Sequence, residues 1–121
     1  MHSALAPKLP VWDGDELNFT KLGDILGAKQ KELAQIINVS EATLRSPTVS
    51  RETLRKAQPL LYVLNLLWEL TDGKSEEVYR WLNEPRIEWG GLSPLKTLTL
   101  GKLDAVKTLL ERIYHGEISS T

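Results

Sequence analysis

The sequence contains no cysteine, which removes disulfides, thiolate catalysis and cysteine-based zinc sites together, so folding rests on packing alone. Its two histidines, His2 and His115, are far apart in the chain and form no pair at helical spacing that could share a metal. No apolar run reaches the ~18–20 residues needed to span a bilayer, and the opening Met1-His2-Ser3-Ala4-Leu5-Ala6-Pro7 lacks a basic segment followed by an apolar stretch. A cytoplasmic protein is expected. No stretch alternates apolar and polar residues as a half-buried strand does, and there is no internal repeat or low-complexity tract. Catalytic constellations are missing too. His115 closes a helical pattern, where an imidazolium suits the helix dipole. Glu76, Glu77, Glu84 and Glu88 read as solvated faces, and Gly90-Gly91 has no lysine in P-loop register. The expectation is a protein that is not an enzyme and carries neither cofactor nor metal.

What is present is ordinary globular material: 121 residues, 41% hydrophobic and 26% charged. That suffices for one compact domain, or for a small domain joined to a second that shares its core. The net charge is −1 but unevenly spread. Residues 29–56 carry six bases (Lys29, Lys31, Arg45, Arg51, Arg55 and Lys56) against three acids (Glu32, Glu41 and Glu52), while the remainder holds nine bases against thirteen acids. A chain so divided can hold a phosphate backbone with one region and a different partner with another, although chance scatter of surface charge gives the same tally.

Apolar residues recur at helical spacing from Asn18 onward, which makes the fold all-α. Residues 1–17, with Pro7, Pro10 and Gly14 and no helical period, read as a flexible arm that Trp12 pins to the body. Helices are expected over residues 19–26, with Gly27 as stop, and 30–37, with Asn38 as a left-handed turn residue. A short helix capped by Ser40 ends at Ser46-Pro47. Ser50 caps a long helix to about Leu70, apolar on two sides (Leu54, Ala57, Leu61, Leu64, Trp68; Leu60, Val63, Leu67, Leu70) and therefore the spine, which Pro59 should kink or restart near Gln58. This spine helix is the expected dimer surface. Further helices follow over residues 75–82, 94–99 and 102–114, separated by a loop over 83–93.

Two segments stand out. Residues 29–45, KQKELAQIINVSEATLR, have the spacing of two helices crossing tightly, with small Ala34 where the second helix must approach, Asn38 at the turn and Leu44 as buried anchor. The pattern resembles the helix-turn-helix of phage-repressor-type regulators, with Asn38 in place of the more usual glycine. The resemblance implies that Ser40, Glu41, Thr43 and Arg45 face a major groove, and that Lys29, Gln30 and the amides beside them, together with Arg51, meet phosphates. A helix pair that merely packs a core is the alternative.

The second segment, residues 81–117, reads WLNEPRIEWGGLSPLKTLTLGKLDAVKTLLERIYHGE. Gly90-Gly91 allows a sharp turn at positive φ or the close approach of another chain, and Pro94 presets the next helix, so a stiff loop could present Trp89 and Leu92 as anchors. Trp81 reads more simply as core. Trp81-Leu82, Asn83-Glu84-Pro85, Gly90-Gly91, Ser93-Pro94-Leu95, Gly101 and the ending Tyr114-His115-Gly116-Glu117 together resemble the toxin-binding domain shared by the Xre, MbcA and ParS antitoxins, whose partners carry a RES domain. Trp89 departs from the aliphatic residue usual before the double glycine.

That resemblance implies a helix-turn-helix over residues 18–58 followed by a toxin-binding and dimerisation domain over 59–121, the two sharing the long central helix. The implied function is that of the antitoxin in a type II toxin–antitoxin pair. Its partners would be a RES-domain toxin that degrades NAD, operator DNA and a second copy in a homodimer. Toxin contacts fall on Trp89, Gly90, Gly91, Leu92, Tyr114, His115, Glu117 and Ile118, with the terminal segment covering the toxin's active-site mouth. A stand-alone transcription regulator, or an interaction module that has lost DNA binding, would carry the same residues.

Overall fold

In the computed structural model, which describes residues 8–117, four helices begin at a polar residue that leaves helical geometry while its side chain holds the first turn. Asn18 Oδ1 accepts from Lys21 N to open α1 (Phe19–Leu26). Backbone N–H of Lys29 donates to Glu32 at the start of α2 (Gln30–Ile37), and Ser40 Oγ accepts from Thr43 N to open α3 (Glu41–Leu44). Ser50 does the same for Thr53 at the head of α4 (Arg51–Leu70), and Ser93 for Lys96 at α6 (Pro94–Thr99). Between these last two lie α5 (Ser75–Asn83) and a single 3₁₀ turn over Ile87–Trp89, and α7 (Leu103–Tyr114) closes the described chain. The architecture is all-α apart from one small hairpin.

That hairpin is the main departure from the sequence-based expectation. Residues 8–17 are not an arm: β1 (Trp12–Asp13) pairs antiparallel with β2 (Glu16–Leu17), and Leu9, Val11 and Leu17 are buried in the main core. The strands are too short for alternation to show in the sequence, and Pro10 and Gly14 mask the signal further. Asn18 fastens the unit, its backbone N–H donating to Val11 O and its side-chain amide to Asp13 Oδ2 at 2.7 Å. Lys21 Nζ lies 2.6 Å from the same carboxylate. Glu16 reaches across to accept from Val49 N at 3.1 Å, which ties the hairpin to the segment before α4. Residues 1–7 of the expected arm lie outside the described residues.

The spine also differs in detail. α4 runs unbroken through Pro59, so the expected restart near Gln58 does not occur. Pro59 is exposed, and the carbonyl one turn before it that loses its donor can be served by water. The apolar faces of α4 are consumed within the chain: Ala57, Leu60, Leu61, Val63, Leu64, Leu67 and Trp68 are buried, with α2, α5 and α7 packed against the helix. One contiguous core runs from Leu9 to Leu110, and the boundary expected at residues 58 and 59 falls inside this helix.

Candidate functional site

Among the described residues no group of His, Asp or Glu is placed to hold a metal, and no helix is long and apolar enough to cross a membrane. The functional candidates are therefore surfaces, one at each end of α4.

At the first, α2 and α3 cross with Ala34 and Leu44 both buried and Asn38 left-handed at φ 62, as the spacing of residues 29–45 requires. Lys56 Nζ donates to Asn38 O at 3.2 Å and steadies the turn from α4. Lys29, Glu41, Arg45 and Arg51 are exposed, with Arg45 3.9 Å from Glu41. Ser40 and Thr43 spend their hydroxyls on each other and on the cap of α3. Gln30 is half-buried, and its amide donates to Phe19 O at 3.1 Å. The start of α2, expected to offer amides to a phosphate, already holds its own carboxylate, since Lys29 N–H donates to Glu32 at 2.9 Å. The helix expected to read bases is a single turn, Glu41–Leu44.

At the second end, the loop after α5 is built around Arg86. Its guanidinium lies 5.4 Å from the ring centroid of Trp81 and 6.0 Å from that of Trp89, with its side chain 15% exposed and its Nη2 3.0 Å from Glu88. Two aromatic faces compensate a cation removed from water, while its Nε is buried with no hydrogen-bond partner among the described residues. The backbone closes around the same residue: Arg86 N donates to Leu92 O at 3.0 Å, and Arg86 O accepts from Trp89 N and Gly91 N. Gly90 and Gly91 turn at φ 66 and 88 with open space where a Cβ would stand, so positive φ, not close approach within this chain, is what requires glycine. Glu88 is held below the usual carboxylate range by its own backbone N–H and then by Arg86.

Trp89 and Leu92, expected as presented anchors, are half-buried parts of this scaffold. Trp81, expected as core, is also half-buried and forms one face of the stack. The residue held outward is Ile87, 95% exposed, on the turn between the two tryptophans. Sequence reasoning missed both Arg86 and Ile87. The signal that could have found them is a lone arginine spaced between two tryptophans, followed by an aliphatic residue in a loop that otherwise has no reason to expose one.

Beside this loop lies a cleft of about 1070 Å³. Leu67 and Leu70 of α4, Trp81 of α5 and Leu110 and Ile113 of α7 supply its apolar lining. Charges of both signs, among them Lys74, Glu77, Arg80, Glu84 and Glu88, also line it. The chain leaves this cleft through the last turn of α7. Tyr114 is half-buried and donates to Glu69 Oε2 at 2.8 Å, and its ring meets that of His115 edge-on at 5.8 Å. His115 is exposed, Glu117 N–H donates to Arg112 O at 2.9 Å, and Glu117 Oε1 lies 3.8 Å from Arg112 Nε. Ile118 lies outside the described residues.

Residues 64–116 match the model of the antitoxin Xre/MbcA/ParS C-terminal toxin-binding domain. The match begins within α4 and ends just past α7, so it takes in every residue lining the cleft and the whole Arg86 loop. A comparison of the chain with curated proteins finds no match.

Proposed function

We propose, from the toxin-binding family that residues 64–116 match, that this protein is the antitoxin of a type II toxin–antitoxin pair and works by binding rather than catalysis. The observation that carries the reading is continuity. A cleft lined entirely by matched residues shares its wall with the last turn of α7, so the Arg86 loop, the cleft and the root of the terminal segment make a single surface. The toxin is a RES-domain enzyme that degrades NAD. Residues from Tyr114 onward, including His115, Glu117 and Ile118, cover its active-site mouth, and inhibition is steric. Gly90 and Gly91 shape the docking loop, while Trp89 and Leu92 support it from within.

The other end of α4 binds the operator of the protein's own operon in the cytoplasm. Exposed Lys29, Arg45 and Arg51 supply cations there, with Ser40, Glu41 and Thr43 near the groove, and Gln30 is left out because its amide is committed to Phe19. A single-turn α3 reads too few base pairs for strong discrimination, so a homodimer on two half-sites is required.

Truncation after Tyr114 tests the division of labour. Toxin neutralisation is lost on deletion of residues 115–121 while salt-dependent operator binding persists. Equal loss of both activities, in a chain that still folds, overturns the reading.

A further inference from the structure

Ile87 is the most exposed large apolar side chain among the described residues, and it sits on one of the most heavily braced loops. Single exposed aliphatics on ordinary surface need no explanation. Here, though, a cation is withdrawn from water against two indole rings, two glycines turn at positive φ, and backbone bonds close from Arg86 to Gly91 and Leu92, all in a turn whose apex residue, Ile87, is 95% exposed. Ordering a loop costs conformational entropy, and a binding protein that meets this cost on folding does not meet it again on association.

We propose that Ile87 is a preorganised docking anchor that inserts into an apolar pocket on the toxin, and that the Arg86 stack with Trp81 and Trp89 is the clamp that positions it. The inference rests on the antitoxin reading and deepens it by naming the contact. The toxin is the occupant because Ile87 borders the cleft whose lining falls wholly within the matched toxin-binding residues. The two other clefts are lined in part by residues 8–25 and by Tyr62, outside that match. The charges around Ile87 are mixed, with Glu84 and Glu88 exposed and Glu88 paired with Arg86 at 3.0 Å. A rigid aliphatic knob with a charged border has the form of an interface hot spot, in which the desolvated centre carries the affinity and the rim excludes mismatched partners.

The test uses the full chain and a RES-domain toxin, with affinity measured by titration and the antitoxin's mass and melting temperature measured alone. Ile87→Ala is expected to weaken binding about 10-fold and Ile87→Asp about 100-fold or more, as loss of a fully buried aliphatic contact implies. Ile87→Leu should bind within about 3-fold of the wild type, since volume and apolarity are kept. Because the Ile87 side chain is 95% exposed, all three variants should melt as the wild type does. Arg86→Ala should weaken binding while Ile87 remains, because the clamp and not the anchor is lost. Wild-type affinity in Ile87→Asp overturns the anchor and leaves the antitoxin reading standing. A change in the mass of the antitoxin alone on Ile87→Asp also overturns it, because the knob would then serve a second copy. If the unaltered chain fails to bind, the antitoxin reading falls first and the anchor falls with it.

Discussion

Tyr114 Oη donates to Glu69 Oε2 at 2.8 Å, which ties the last turn of α7 to the last turn of α4. Further back along α4 the exchange runs the other way, with Tyr62 of α4 donating to Glu111 of α7 at 2.6 Å. Two reciprocal bonds fix both the axial position and the rotation of α7 on the spine. The residues that follow Tyr114 therefore leave from a point set by the core, which is what a terminal segment needs if it is to arrive at one place on a partner.

These bonds have a definite pH signature. Each carboxylate raises the phenol of its tyrosine above the ordinary value of 10.0, in both cases chiefly through the hydrogen bond. A raised value means the folded state holds the proton more tightly. The stabilisation is complete below the unfolded value and is lost as pH rises through the folded one. The Tyr62→Phe, Tyr114→Phe double variant should melt a few degrees below the wild type near neutrality, with the gap closing as pH passes 10. Thermal melts across that range check it, and a gap constant with pH would assign the loss to packing instead.

Gly27 marks where α1 and α5 come closest. It ends α1 at φ 72, and a Cβ there would stand 2.3 Å from Tyr79 Cε2 and 3.0 Å from Asn83 Nδ2. Gly27→Ala therefore combines left-handed strain with a clash, for an expected loss of about 1–3 kcal/mol. Tyr79 is half-exposed and can swing aside. Adding Tyr79→Ala should relieve the clash and leave the strain, which chemical denaturation of the single and double variants can separate.

Helical boundaries were legible because their signals are local: Ser40, Ser50 and Ser93 cap where expected, and Gly27 and Asn38 stop helices at positive φ. The double glycine was legible as a turn for the same reason. What escaped depends on contacts distant in sequence. Leu9, Val11 and Leu17 carry no period that reveals their burial, because their partners lie in the helical core. Gln30 looks like a helix-terminus ligand until Phe19 O is seen to take its amide. Trp89 is half-buried and Ile87 exposed, a distribution that the spacing of Trp81, Arg86 and Trp89 hints at but that only the folded loop fixes.

The hairpin yields a direct test of whether residues 8–17 belong to the fold. Leu17 is buried beside Phe19 and Leu22 in the common core. Leu17→Ala should cost about 2–5 kcal/mol in unfolding free energy, the range for a truncated buried leucine. A free arm would show a change near zero. Asp13 adds a second handle: the Lys21 ammonium, and then Asn18, hold its carboxyl below the ordinary 3.8. That contribution is present above the ordinary value and fades as pH falls through the folded one, so Asp13→Asn should converge with the wild type in acid.

The basic end can be tested with three side chains of opposed character. Arg45 is exposed next to α3, so Arg45→Ala should weaken operator binding by about 1–3 kcal/mol if it meets a base, and should flatten the salt dependence if it meets a phosphate. If this end binds the operator as proposed, Glu41, 3.9 Å from Arg45, opposes the DNA with its own charge, and Glu41→Gln should tighten binding modestly and most at low salt. Gln30→Ala should lower stability while leaving DNA affinity unchanged, because its amide serves Phe19 O and not a phosphate. Affinity measured at two salt concentrations for all three variants decides the matter. If all three variants leave binding unaltered, the crossed helices only pack the core and the cations lie elsewhere, and loss of binding in Gln30→Ala without loss of the fold would return Gln30 to the DNA contacts.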